Sequence, residues 1–203
     1  MILPLKWFSI PQCWRFEATQ RGRKREHYQW NMDIIGCKEI TAEVELLSAA
    51  VEFFKSCGIT SADVGIKVNS RKVMQSMLTI NDVPDEIFAP TCVILDKLDK
   101  IGAEAVVKEL TETLGLPRET AENVVKTLSC KTVEELEEMA REAIEVSSGG
   151  DDGDNTNSNT KAVDDSSIRE LKELFKLAEE YGFGDWLQFD ASVVRGLASV
   201  SYT

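Results

Sequence analysis

Polar and apolar side chains alternate in two short stretches near the start of the 203-residue chain. In the first stretch, Trp14 and Phe16 alternate with charged residues. In the second, Trp30, Met32 and Ile34 alternate with polar residues. Because successive side chains of a strand point to opposite faces, each stretch is predicted to be a strand with one polar face. These polar faces carry a mixed set of donors and acceptors, namely Arg15, Glu17, Gln29, Asn31 and Asp33. Such a set is typical of a ligand-binding floor, and an exposed face of an outer sheet is an equally weighted alternative.

A basic loop joins the two predicted strands over residues 18–27. It holds Arg21, Arg23, Lys24 and Arg25 around Gly22. Guanidinium groups bind phosphate through paired hydrogen bonds, and glycine lets the backbone approach a ligand closely. The loop therefore indicates a polyphosphate or an RNA backbone as partner. A solvated run of charge is the alternative, and from composition alone it is the commoner outcome.

Composition restricts the remaining function classes. The formal net charge of −12 argues against a general nucleic-acid binder, although residues 1–40 hold seven Lys/Arg against four Asp/Glu. Five cysteines without a C-x-x-C spacing favour a reducing compartment over a disulfide scaffold or zinc site. His27 is the single histidine, so no histidine-based metal site or catalytic triad is expected. No apolar run approaches the ~20 residues of a membrane span, and the start is not a signal peptide.

The elements around the polar strands predict an α+β fold. Residues 42–57 repeat apolar side chains at helical spacing, residues 62–69 alternate as a strand, and Ser70 is positioned to begin a short helix to about Leu78. This order of strands and helices is typical of an α+β domain with a mainly antiparallel sheet.

After Pro90 the pattern becomes helical, and we expect residues 91–146 to form a small helical insertion. A single helix is predicted from Cys92 to Ile101, a second ends at Gly115, and Pro117 suits the first turn of a third. Thr132 with Glu135, and Ser167 with Glu170, have the spacing of capping boxes at helix starts. Residues 147–164 hold almost no apolar side chains and are predicted to be a flexible linker. Residues 165–203 would then rejoin the domain formed by residues 1–90.

Residues 11–36, PQCWRFEATQRGRKREHYQWNMDIIG, resemble motif 2 of the class II aminoacyl-tRNA synthetases in its histidyl form. The match comprises an Arg and a Glu two apart, a Gly-Arg-x-Arg-Glu loop, and an aromatic-Gln strand ending in Asp-x-x-Gly. A second block, VVRGL at residues 193–197, resembles the histidine-specific motif of the same family. The resemblance covers the chain apart from the linker. It implies a class II sheet with flanking helices, divided between residues 1–90 and 165–203, and an all-helical insertion domain at 91–146.

The resemblance implies ATP-dependent activation of histidine to histidyl-adenylate, followed by transfer to tRNA(His). ATP would be a substrate, accompanied by Mg²⁺. By the same resemblance, Arg15 would hold the α-phosphate and the amino-acid carboxylate, Glu17 would meet the adenine ring, and Arg23 would hold the γ-phosphate. No metal ligand on the protein is implied.

Histidine recognition is implied for three further positions. Gln29 and Asp33 would read the substrate, and Arg195 would stabilise charge on the α-phosphate in the transition state. The sequence departs from the family after Arg195, where Ser199 to Ser201 stand in place of a tyrosine pair, so part of the imidazole pocket differs.

Motif 1, motif 3 and the anticodon-binding domain have no counterpart within the 203 residues. The chain is therefore expected to be the central part of a catalytic domain and to be inactive alone, while the full-length enzyme would be a homodimer. A cytoplasmic or organellar location fits, and no membrane association is expected. Two alternative hypotheses are a non-catalytic synthetase-like module that regulates or senses RNA, and an acidic helical adaptor. The second leaves residues 12–36 unexplained.

Overall fold

The structure is a computed structural model that describes residues 2–16, 18, 20–148 and 165–193. It divides into two compact units, Met1–Cys57 and Gly58–Thr203.

The first unit contains two strand pairs and one helix in its described part. β1 (Leu5–Ser9) pairs with β4 (Asn31–Ile35), and β2 (Gln12–Trp14) pairs with β3 (Glu26–Tyr28). Both pairs are antiparallel. α1 (Thr41–Ser56) follows the last of these strands.

Helix α1 lies against one face of the β1–β4 pair. Lys6 of β1 forms an ion pair with Glu45 of α1, with 2.6 Å between Nζ and Oε2. Trp30, just before β4, contacts Phe53 of α1 with ring centroids 5.5 Å apart. Because Lys6 is paired with Ile34 in the register, the face toward α1 is the one that carries the apolar side chains of β4.

The second unit is mostly helical. Its described helices are α2 (Arg71–Ile80), α3 (Phe88–Leu95), α4 (Leu98–Ile101), α5 (Ala103–Leu114), α6 (Arg118–Leu128), α7 (Val133–Ser148) and α8 (Asp165–Glu180). Two short strands, β5 (Ile66–Val68) and β6 (Leu187–Phe189), pair in parallel. Over the ranges that the structure describes, no helix is long and apolar enough to cross a membrane.

Local sequence signals explain several helix ends. Gly115 follows α5 with a φ of 70°, a left-handed conformation that glycine adopts without steric cost. Pro117 lies directly before α6, where its fixed φ suits the first turn. At the start of α7, the backbone N–H of Glu135 donates to Thr132 Oγ1 over 3.1 Å, and Glu135 Oε2 accepts from the N–H of Lys131 over 2.8 Å.

Helix α2 contributes to both hydrophobic clusters of the second unit. One cluster joins its Met74 and Leu78 to α3, α5 and α6 and to Ala191 after β6. The other joins its Val73 and Met77 to α7 and α8. Because both sides of α2 are buried, this helix connects the two clusters, and burial of apolar area is the main stabilising contribution to such a unit.

The α+β class predicted from the sequence is confirmed, and several details differ. The first 36 residues form four strands instead of two, and the predicted strand at 62–69 is reduced to β5. The single helix expected from Cys92 to Ile101 is divided into α3 and α4. Ser167, predicted as a helix cap, lies inside α8 and is fully buried.

The expected domain boundaries of residues 1–90, 91–146 and 165–203 stay predictions. Contacts group residues 91–146 with α2, α8 and β6 in the second unit. The physical reason is the shared apolar core, since α3, α5 and α6 bury side chains against α2 and Ala191. The assignment of residues 91–146 to an insertion domain stays a prediction.

Candidate active site

The register of β1 and β4 creates one polar face on this strand pair. Ser9 lies opposite Asn31, and Trp7 lies opposite Asp33. Residues that are directly opposite in an antiparallel pair share a face, so these four side chains lie together. They lie on the face opposite to that of Lys6. The Lys6 face contacts α1, so the polar face points away from this helix.

A row of hydrogen bonds runs along this polar face from Arg15. The guanidinium of Arg15 donates from Nη2 to Gln29 Oε1 over 3.4 Å. Gln29 Nε2 donates to Asn31 Oδ1 over 2.7 Å, and Asn31 Nδ2 donates to Ser9 Oγ over 3.5 Å. These bonds orient the Gln29 amide, with its oxygen toward the cation and its nitrogen toward Asn31.

The carboxylate of Asp33 has its own partner. The indole Nε1–H of Trp7 donates to Asp33 Oδ2 over 2.9 Å. Backbone bonds fix the strands that carry these groups, since the N–H of Gln29 donates to the carbonyl of Pro11 over 3.1 Å. The face therefore presents one guanidinium, two amides and one carboxylate in a defined arrangement.

The basic loop is the tip of the β2–β3 hairpin. The N–H of Arg15 donates to the carbonyl of Arg25 over 2.8 Å, and the N–H of Arg23 donates to the carbonyl of Gln20 over 2.9 Å. Gly22 lies inside this turn with a φ of 81°, a conformation that favours glycine. Arg23 is exposed at this turn, and the guanidinium of Arg25 lies 5.1 Å from the ring centroid of Phe16.

A depression of about 920 Å³ lies at the β1–β4 pair, and Trp7, Ser9, Asn31 and Asp33 are among its lining residues. Phe8, Trp30, Met32 and Leu46 complete the lining, so the depression also reaches residues on the side of the strand pair toward α1. Small-molecule sites typically combine an apolar lining with a few oriented polar groups in a volume of ~300–1,000 Å³. The polar part of this lining is the set of donors and acceptors on Trp7, Ser9, Asn31 and Asp33.

Comparison with known proteins identifies the family. The chain is 48% identical over 196 residues to the chloroplastic/mitochondrial histidine–tRNA ligase of Arabidopsis thaliana, a match that covers 97% of this chain and 36% of that protein. The chain belongs to the histidyl-tRNA synthetase family. It is also 32% identical over 197 residues to the histidine–tRNA ligase of Thermoplasma volcanium, covering 96% of this chain and 40% of that protein. The chain thus spans well under half the length of these relatives.

A solved structure gives the same result for the fold. The histidyl-tRNA synthetase of Nostoc sp. PCC 7120 superposes with a TM-score of 0.76 at 17% identity, covering 97% of this chain and 42% of that one. At this identity the likeness concerns the fold alone. No protein-family model matches the chain.

The structure brings together three of the residues that the sequence singled out for this histidyl-tRNA synthetase family site. Arg15, Gln29 and Asp33 share the polar face of the first unit. Arg23 lies at the hairpin tip. Glu17 and Arg195 lie outside the described residues, so their predicted roles stay predictions.

Two residues of the face were missed by the sequence interpretation. Trp7 and Ser9 belong to β1, which the sequence interpretation did not predict as a strand. They are two residues apart in LKWFS, so strand alternation places both on one face. That alternation is short and begins close to Pro4, which obscured the signal. Among the described residues, no group of three or more His, Cys, Asp or Glu side chains is arranged to hold a metal ion.

Proposed function

We propose that this chain supplies the motif 2 part of the active site of a histidine–tRNA ligase. That enzyme would join histidine to ATP and then transfer the histidyl group to tRNA(His). The observation that carries the proposal is the polar face on which Arg15, Gln29 and Asp33 lie together, in a chain 48% identical to a protein named as such a ligase.

In the first step, a carboxylate oxygen of histidine attacks the α-phosphorus of ATP, and the bond to the leaving pyrophosphate breaks. Arg15 would bind the α-phosphate and the attacking carboxylate, and so hold the two reacting groups side by side. Arg23 at the hairpin tip would bind the γ-phosphate. Glu17 would contact the adenine, and Arg195 would stabilise the charge that develops on the α-phosphate.

The substrate side chain would be recognised by Gln29 and Asp33. An imidazole presents both a nitrogen donor and a nitrogen acceptor when neutral. The carboxylate of Asp33 accepts hydrogen bonds only, and the amide of Gln29 offers both functions. The pair therefore complements an imidazole better than it complements an aliphatic side chain.

We propose Mg²⁺ as a companion of ATP and not as a resident metal. Mg²⁺ is usually bound through substrate phosphates, waters and one or two carboxylates.

The partners proposed are L-histidine, tRNA(His) and a second copy of the full-length enzyme. A reducing compartment fits the five free cysteines. The Arabidopsis relative is named chloroplastic/mitochondrial, which supports an organellar location, with the cytoplasm as the other candidate.

The proposal is tested in a chimera in which residues 1–193 replace the homologous segment of the Arabidopsis ligase. We expect histidine-dependent exchange between ATP and pyrophosphate. Arg15→Ala should lower kcat by roughly 10²–10³, the range for losing one donor to transition-state charge. Arg118→Ala is the matched control, since Arg118 is exposed on α6 and paired with Glu122, and it should leave the rate unchanged.

Two results would contradict the proposal in different ways. A folded chimera that binds ATP without any exchange favours the non-catalytic, regulatory alternative. Full exchange by the Arg15→Ala chimera shows that the role assigned to Arg15 is wrong. The 203-residue chain alone should bind L-histidine and ATP weakly without catalysing exchange.

A further inference from the structure

The Trp7–Asp33 hydrogen bond joins two side chains that are directly opposite in the β1–β4 pair. An indole N–H is a donor without any acceptor function. It can therefore bond the Asp33 carboxylate in only one sense, with Oδ2 as the acceptor, and it restricts rotation of that carboxylate. A strand partner with an apolar side chain would leave Asp33 free to rotate.

Trp7 is one of several large hydrophobic residues of the first unit that stay exposed, and it is distinguished from Phe8 and Trp14 by its hydrogen bond to Asp33. Its side chain is 56% exposed, although a buried tryptophan would contribute far more to stability. It lines the depression together with Asp33, Asn31 and Ser9. The indole is thus held at the rim of the polar face, with its N–H directed at the carboxylate.

We infer that Trp7 is a positioning residue for histidine recognition, which it serves by orienting the carboxylate of Asp33. This inference rests on the proposed function. With Oδ2 occupied by the indole, Oδ1 is the oxygen presented to a ligand N–H. Within the described part of the chain, Trp7 is the side chain that donates to this carboxylate.

The orientation has a consequence for selectivity. A fixed acceptor favours a ligand whose donor lies at one distance and angle, as an imidazole N–H does. A freely rotating carboxylate would accept from many cations, including the flexible ammonium of lysine. Trp7 should therefore strengthen histidine binding and weaken competition by other amino acids.

The test uses the 203-residue chain labelled with ¹⁵N, whose four tryptophans give four indole signals. L-Histidine is titrated while amide and indole shifts are followed. We expect Trp7→Phe, which keeps a ring but lacks the N–H, to weaken L-histidine binding about tenfold, as expected for one hydrogen bond to a charged group. Trp14→Phe is the matched control, because Trp14 is also exposed and lies in a different strand pair.

A double-mutant cycle separates positioning from packing. In an Asp33→Ala background, which removes the acceptor of the indole N–H, Trp7→Phe should have no further effect on L-histidine binding if Trp7 acts through the carboxylate. An equal loss in both backgrounds overturns the inference, because Trp7 would then act through packing. Trp7→Leu, which also lacks the N–H, provides the same measurement if the phenylalanine variant does not fold.

The outcomes distinguish this inference from the proposed function. If the wild-type chain binds L-histidine and Trp7→Phe binds it equally well, the inference is wrong and the proposed function stands. If the folded wild-type chain shows no shifts with L-histidine at millimolar concentration, the proposed histidine site is wrong, and the inference falls with it.

Discussion

Asp190 holds the turn that follows β6, and its removal gives a measurable prediction. Asp190 Oδ1 accepts from the backbone N–H of Ser192 over 3.0 Å and from its hydroxyl over 2.6 Å. Lys67 of β5 lies 2.6 Å from Asp190 Oδ2. The backbone N–H of Asp190 also donates to the carbonyl of Val68 over 3.2 Å. The carboxylate thus joins β5 to the turn that precedes residues 193–197.

The free energy of unfolding that Asp190→Ala should remove follows from the exposure of the partners of Asp190. Lys67 is 52% exposed and Asp190 is 13% exposed, so we assign their ion pair only the ~0–1 kcal/mol typical of exposed pairs. The two bonds from Ser192 end on one oxygen, and we count them together as about 1.5 kcal/mol, the low end for a charged acceptor. Asp190→Ala should therefore lower the free energy of unfolding by about 2 kcal/mol. Asp190→Asn, which keeps an oxygen for Ser192, should lower it by about 1 kcal/mol.

The pH dependence has a definite sign. Partial burial raises the pKa of Asp190, but hydrogen bonds from Lys67 and Ser192 outweigh it and lower the pKa below its ordinary value. A carboxyl group with a lowered pKa in the folded state stabilises the fold above its unfolded pKa of ~3.9. That contribution is lost as the pH falls through the lower, folded pKa. The difference between wild type and Asp190→Ala should be constant near neutrality and shrink below about pH 4.

The assay is thermal and urea unfolding of the 203-residue chain between pH 7 and pH 3. A loss of 2 kcal/mol corresponds to a fall in Tm of roughly 4–8 °C for a unit of ~150 residues. Asp99→Asn is the matched control, because Asp99 is the more distant partner of Lys67, at 3.8 Å, and is 73% exposed. A difference that persists unchanged at pH 3 would refute the reasoning, since the effect would not come from the ionised carboxylate.

The remaining predictions concern buried side chains and the reactivity of the cysteines. Leu110→Ala should lower the free energy of unfolding by about 2–5 kcal/mol in urea titration, because Leu110 is fully buried. Thr91→Val should raise it by about 1 kcal/mol, since the described structure gives the buried Thr91 hydroxyl no partner. Thr127→Val should lower it by a similar amount, because the Thr127 hydroxyl donates to the carbonyl of Asn123; equal effects of the two valine variants would contradict this account. Burial raises the pKa of Cys92 to about 11, so a thiol reagent followed by mass spectrometry should modify exposed Cys57 first.

The polar face was predictable in part because strand alternation is a local property. The assignment of Gln29, Asn31 and Asp33 to one face needs only the period of two along β4. The contribution of β1 was not predictable in the same way. Trp7 meets Asp33 through pairing between strands that are separated by the whole hairpin, and only the register decides which residues are opposite.

Helix ends were predictable where one residue type favours a particular backbone conformation, as glycine does after a helix and proline does at its start. Gly115 and Pro117 end and begin helices as expected. The cap at Thr132 also forms, whereas Ser167 does not cap a helix because α8 already begins at Asp165. A capping box has the same spacing as an ordinary pair one turn apart, so the pattern alone could not separate the two cases.

The grouping of the helices depends on contacts that the sequence does not encode locally. The composition changes at Pro90, and that change suggested a boundary. The division into compact units falls after Cys57. Within the second unit, α2 buries apolar side chains on both of its sides. The pattern of α2 shows that it is amphipathic, but not that its second side is covered by α7 and α8.

The two units differ in what stabilises them, and this difference bears on where a ligand would act. Among the described residues of the first unit, Val44 and Val51 are the buried hydrophobic side chains, while Trp7, Phe8 and Trp14 stay exposed. Apolar burial is the main stabilising contribution in folded proteins, so this unit depends more on its strand pairing and on the hydrogen bonds of its polar face. A ligand that adds donors and acceptors to that face stabilises the folded state by mass action. The described residues of the buried clusters in the second unit are apolar side chains and cysteines, which offer a polar ligand few partners. The family motif and the physical features of a binding surface therefore coincide in the first 57 residues.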